Sequence, residues 1–225
     1  MADLLDAVRD VESGLEGLAD DERATQMAAY MKDHFPFLGV QATPRRAVQR
    51  AATKLAKRAE PDELLHAAGQ CWNADPREMQ YAGADLLRAG ADNLRPEHLG
   101  EVRRFVETKS WWDTVDSLAA HTVGTMVHRH RELSPVMDTW VDDENMWVAR
   151  TAILHQLAWK HDAEPDRLFD YAKRRASDTE FFIRKALGWS LRSLAYVAPD
   201  QVRRFVDDHR DRLSGLTVRE ATKHL

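Results

Sequence analysis

Along the chain, apolar residues recur at i, i+3, i+4 and i+7, the spacing that lines one face of a helix, and runs of β-branched residues are scarce. The pattern predicts helices and no sheet. Prolines punctuate it. Proline is tolerated in the first turn of a helix, where its missing N–H would have no intrahelical acceptor anyway. EPDELL, RPEHLG, SPVMDTW, EPDRLF and APDQVRRF put Pro61, Pro96, Pro135, Pro165 and Pro199 at such starts, most of them with an acid beside the positive helix end. Successive prolines are 35, 39, 30 and 34 residues apart. A second helix is expected after each, starting near Pro76, Trp111, Asp143, Asp178 and Leu216. EVRRFVET at 101–108 and QVRRFVDD at 201–208 repeat in detail. A helix pair every ~35 residues marks an α-solenoid. The Trp, Leu-Gly, Tyr pattern of tetratricopeptide repeats is absent, so the expected fold is all-α and HEAT-like. It forms one curved solenoid domain over 1–225, with an acidic helix over 1–22, helix pairs from about 61, and a concave face suited to an extended ligand.

Composition fits a folded, cytoplasmic protein: 44% of residues are apolar and 31% charged. No apolar run approaches membrane-spanning length, and the N-terminus is acidic from Asp3, unlike a signal or transit peptide. Cys71 is the single cysteine, which excludes an internal disulfide, a C-x-x-C site and a Cys-ligated cluster. No Walker loop, G-x-S-x-G or G-x-G-x-x-G occurs. His128-x-His130 lacks a third ligand at metal spacing, so no metal and no cofactor is expected. The net charge of −5 argues at first against a nucleic-acid partner. Eight of the acids fall within residues 1–22, however, leaving 31 bases and 29 acids in the rest. PRRAVQRAATKLAKR, expected as a helix from Pro44, then carries Arg46, Arg50, Lys54 and Arg58 at i+4 spacing with no acid among them. A basic row of that pitch is either a solvated face or a track for successive phosphates.

Three sites resist explanation by the core. In TKSWWDTVDS (108–117), Ser110 and Asp113 fit a capping arrangement and Trp111 aligns with the apolar Val115 and Leu118. Trp112 and Asp116 remain, four residues apart on one helix face, an indole beside a carboxylate. Further on, Met146, Arg150, Ile153 and Leu157 form one stripe, which places a cation in an apolar row. Such an arginine either snorkels or pairs with a carboxylate such as Asp116. In EFFIRKALGWSLRSLAY the core stripe is Ile183, Leu187, Leu191 and Leu194, and Trp189 lies off it with Phe182, Ala186 and Tyr196. Inter-repeat packing and a ligand platform both fit such a tryptophan.

YMKDHFPFLGVQATPRR (30–46), ETKSWWDTVDSLA (107–119), WVARTAIL (147–154), EFFIRKALGWSLR (180–192) and REATKHL (219–225) together resemble the AlkD-type DNA alkylation repair glycosylases, in the family's order and over nearly the whole chain. The resemblance implies a HEAT-like solenoid that excises N3- and N7-alkylated purines from duplex DNA without flipping the base into a pocket. It assigns catalysis to Trp112, Asp116 and Trp189. It assigns DNA contact to Arg150, to Tyr30 and to Lys185, and gives the row of Arg46, Arg50 and Lys54 a backbone to grip. It implies a monomer acting on double-stranded DNA, nucleoid-associated when bound. The alternative is a solenoid of the same fold that binds distorted or branched DNA without catalysis.

Overall fold

The computed structural model describes residues 3–225, and every regular element among the described residues is helical. The chain divides into two compact units, one ending at Lys109 and one spanning Ser110–Leu225. No helix is long and apolar enough to cross a membrane among the described residues.

The first unit holds α1 (Leu4–Glu16), α2 (Asp21–Tyr30), α3 (Ala42–Val48), α4 (Arg50–Ala56), α5 (Pro61–Asn73), α6 (Arg77–Gly90) and α7 (Leu99–Glu107). Helix α1 starts where the Asp3 carboxylate accepts the Leu5 N–H, and it buries Leu4, Ala7, Val8, Val11 and Leu15 toward α4 and α5. The acidic segment expected as one helix over 1–22 is therefore two. The chain turns at Gly17, and Asp20 caps α2 by accepting the Arg23 N–H at 3.0 Å. The basic helix expected from Pro44 to Arg58 also splits, at Gln49, and Arg58 falls beyond the end of α4. Tertiary hydrogen bonds meet at the break. The Gln49 amide donates to Asp85 of α6 at 2.6 Å and accepts from Arg45 at 3.1 Å, while Arg45 pairs with Asp85 at 2.8 Å. This buried knot sits at the step between α3 and α4, where Gln49 has φ −79° and ψ 2°.

Polar side chains also fix the loop between α2 and α3. Glu78 is fully buried and accepts the main-chain N–H groups of Leu38, Gly39 and Val40 at 2.9–3.1 Å. Arg77 lays its guanidinium 3.7 Å from the Phe35 ring centroid and donates to the Lys109 carbonyl. Lys32 and Asp33 are held in the left-handed region, φ 56° and 57°. Gly39, at φ 84°, has no room for a side chain: a Cβ there would lie 2.2 Å from the Asp20 carbonyl oxygen.

The second unit begins with α8 (Trp112–Ser117), which runs through a π-helical stretch, Leu118–Val123, into α9 (Gly124–Arg129). Then come α10 (Ser134–Trp140), α11 (Met146–Leu154), α12 (Pro165–Arg174), α13 (Phe181–Ala195), α14 (Pro199–Asp208) and α15 (Gly215–Ala221). They pack as the pairs α10/α11, α12/α13 and α14/α15, with α11 on α13 and α13 on α15. This is the expected repeat of helix pairs, and Pro165 and Pro199 are the first residues of their helices. Ile183, Leu187, Leu191 and Leu194 are buried, as their spacing predicts. Gly188 allows α15 close: a Cβ on it would lie 2.9 Å from the Thr217 carbonyl oxygen. Helix α11 departs from its expected stripe. Trp147 through Gln156 are all buried, because α8, α10 and α13 pack around it, and the helix stops at Leu154.

Candidate active site

Helix α8 starts one residue later than a Ser110 cap requires. Trp111 occupies the cap position in extended backbone, φ −158° and ψ 162°, and Asp113 accepts the N–H of Thr114 at 2.9 Å. From there Trp111 packs on Trp147 and Phe182, with ring centroids 5.6 and 5.1 Å away, and Trp147 and Phe182 lie 5.0 Å from each other. Trp111 thus has a packing role, in an aromatic cluster rather than on the helical stripe with Val115 and Leu118. Trp112 and Asp116 follow on one face of α8, one turn apart and both partly exposed.

Asp116 and Arg150 form a two-pronged pair. Arg150 Nε reaches Asp116 Oδ1 at 2.7 Å and Nη2 reaches Oδ2 at 2.8 Å. The remaining arm, Nη1, donates to the Phe182 carbonyl at 2.5 Å. One guanidinium, only 2% exposed, thereby ties together α8, α11 and the first turn of α13. Of the two sequence readings of Arg150, pairing with Asp116 is the one observed. Its fork is occupied inside the protein, whereas the resemblance directs it to a phosphate.

The Asp116 side chain keeps 16% of its surface exposed. A carboxylate offers about four lone-pair positions, and Arg150 takes one on each oxygen, leaving acceptor capacity on the solvent side. Burial is the largest influence on its pKa and raises it. The hydrogen bonds and charge of Arg150 lower it, Asp113 raises it, and Lys185 lowers it slightly; burial prevails. Asp116 is therefore a less acidic carboxylate than usual, held by a cation in a fixed orientation.

Trp189 is half-buried on α13. It follows Phe182 by seven residues, which places it about 10 Å further along the axis and on nearly the same side. Lys185 lies between them, exposed, with its ammonium 5.7 Å from the Phe181 ring centroid. Trp112, Asp116, Arg150, Lys185 and Trp189 are thus carried by three helices of one unit, joined to one another through Arg150. Sequence reasoning missed Phe182. Its contribution is a main-chain carbonyl and a ring face, and a carbonyl leaves no trace in residue type. The doubled FF at the head of α13 was the available signal.

The other residues assigned to DNA belong to the first unit. Tyr30 ends α2 and is 73% exposed. Arg46, Arg50 and Lys54 are exposed along α3 and α4, where they line an open groove with Lys57 and Arg88, and with Gln49 and Asp85 also in its wall. Asp85 is an acid that the basic segment itself lacks. Neither histidine of His128-x-His130 approaches a metal-site geometry: His128 pairs with Asp162 at 3.0 Å and lies edge-on to Trp159, and His130 is 3.7 Å from Glu132.

The DNA alkylation repair enzyme family matches residues 11–225. Among solved structures, a predicted DNA alkylation repair enzyme from Enterococcus faecalis is 30% identical, with a TM-score of 0.85 over 92% of this chain and 96% of that one. AlkD2 from Streptococcus mutans is 17% identical with a TM-score of 0.62, covering 77% of this chain and 88% of that chain, a likeness of fold. No curated protein matches the sequence. The match over nearly the whole chain and the 30% identical structure agree: this protein belongs to the DNA alkylation repair enzyme family.

Proposed function

We propose that the protein is a monofunctional DNA glycosylase that hydrolyses the N-glycosidic bond of cationic N3- and N7-alkylated purines in duplex DNA. The observation that carries this reading is the Asp116 carboxylate, held in two places by the buried Arg150 and flanked on the same helix face by Trp112. Alkylation at N3 or N7 makes the purine cationic and weakens its bond to the sugar, so the base leaves without a strong acid. What the enzyme supplies is negative charge where the sugar becomes an oxocarbenium ion, and an oriented water. Asp116 provides the charge, and its free lone pairs accept the water's proton as the water attacks. Trp112 and Trp189 offer indole faces to the sugar and to the cationic base. Such a site works on the sugar and does not require the base to be enclosed.

Arg150 holds Asp116 in position and reduces its net charge, so in this scheme it is a positioning residue and the phosphates are left to Lys185, Tyr30, Arg46, Arg50 and Lys54. The test is release of N7-methylguanine from methylated duplex DNA by the wild type and by Asp116→Asn, with DNA affinity measured for both. Release that collapses in the variant at unchanged affinity supports the assignment. No release by the wild type, with DNA still bound, overturns it in favour of a binding-only protein.

A further inference from the structure

Of the large apolar side chains left exposed, Leu18 lies in a turn, Leu225 ends the chain, and Tyr30 and Tyr196 carry a polar hydroxyl. Phe181 is different. It is the first residue of α13, 54% exposed, and its ring lies edge-on to Phe182 at 5.4 Å with the Lys185 ammonium 5.7 Å away. The next residue, Phe182, gives its carbonyl to Arg150, so this exposed ring stands one residue from the group that positions Asp116. Along the helix, Phe181, Lys185 and Trp189 succeed one another at i, i+4 and i+8, with a rise of about 6 Å per step. Two aromatic rings with a cation between them on one side of a helix combine the two elements that hold a nucleic-acid strand, rings that stack on bases and a charge that meets the backbone.

We propose that Phe181 is a second aromatic contact for DNA, which places its ring against the face of a base exposed where stacking is weakened, with Lys185 on the neighbouring phosphate. An apolar wedge at a loosened base step is a general way for a protein to recognise deformed DNA, and it reads no sequence. The ring would therefore confer preference for distorted duplexes. This rests on the reading of α8, α11 and α13 as the DNA site, but not on that site being catalytic.

The test compares Phe181→Ala and Phe181→Trp with the wild type, binding two duplexes without alkylated bases: one intact, and one carrying a tetrahydrofuran abasic position. Because the ring is exposed, the substitutions leave the core intact, which the thermal midpoint checks. Phe181→Ala is expected to weaken binding to the abasic duplex at least about fivefold, with little change for the intact one, and Phe181→Trp to restore it. Equal affinity of wild type and Phe181→Ala for the abasic duplex overturns the proposal, as does an equal loss on both duplexes or a wild type with no abasic preference. Base release is measured separately. If the wild type releases no methylated base while Phe181→Ala still removes the abasic preference, the glycosylase reading falls and this one stands.

Discussion

Replacing Arg150 by methionine keeps an unbranched apolar stem but removes the guanidinium fork. Both oxygens of Asp116 and the Phe182 carbonyl then lose a donor at once. Breaking a buried ion pair by removing one partner costs about 3–5 kcal/mol. Asp116 is 16% exposed, and water relieves part of that penalty, so the lower end applies, about 3 kcal/mol. For a chain of this size, each kcal/mol lowers the thermal midpoint by roughly 2–4 °C, which gives a loss of roughly 6–12 °C. Urea denaturation followed by tryptophan fluorescence measures the free-energy change directly. The double variant Asp116→Asn/Arg150→Met removes the orphaned charge as well, and is expected to recover about half of the loss. A single Arg150→Met change costing under about 1 kcal/mol would refute the reasoning. So would strict additivity in the double variant, because either result would mean the pair behaves as a surface salt bridge.

Three further outcomes follow from the same geometry. If Asp116 acts ionised, the rate of base release falls as pH drops through its raised pKa, so the acid limb lies above the ordinary aspartate range; Arg150→Gln removes a lowering influence and moves that limb to higher pH in single-turnover assays. His155 is completely buried and its pKa is pushed down to about 4, so the unfolded chain takes up its proton first as pH falls. The contribution of neutral His155 is complete above about pH 6.5 and is lost between there and about pH 4, about 3 kcal/mol in all, and acid unfolding of His155→Gln should lack that slope. Replacing Arg46, Arg50 and Lys54 together by alanine should flatten the dependence of log affinity on log salt by up to about 3 units on duplex DNA; an unchanged slope would remove α3 and α4 from the interface.

What could be read from the sequence was what local rules govern. Pro61, Pro165 and Pro199 mark helix starts because proline acts on its own turn, and Ile183, Leu187, Leu191 and Leu194 reveal their face by spacing alone. Trp112 and Asp116 stood out because the core had no use for them. Contacts between distant residues were not legible. Gln49, at the step between α3 and α4, bonds Asp85, 36 residues away, and nothing in QRAATK announces it. Glu78 looks like an ordinary first-turn acid until three N–H groups from residues 38–40 converge on it. Arg150 lay between these cases: its place in an apolar row was visible and Asp116 was a named partner, but the third bond, to the Phe182 carbonyl, was not.

The π-helical stretch from Leu118 to Val123 has a consequence for the line that runs from Asp116 into the body of the unit. A π turn accommodates one more residue than an α turn. Gly124 beyond it is fixed in place, since a Cβ there would lie 2.2 Å from the His155 carbonyl oxygen, and Trp159 donates to its own carbonyl. Were the segment to relax into an α-helix with all its residues kept, the extra residue would turn Trp112 and Asp116 by about 100° relative to that anchor. The carboxylate would then swing away from Arg150 with every functional side chain still present. The site's orientation is thus recorded partly in the pitch of six residues, and losing the π turn would silence it as thoroughly as changing Asp116 itself.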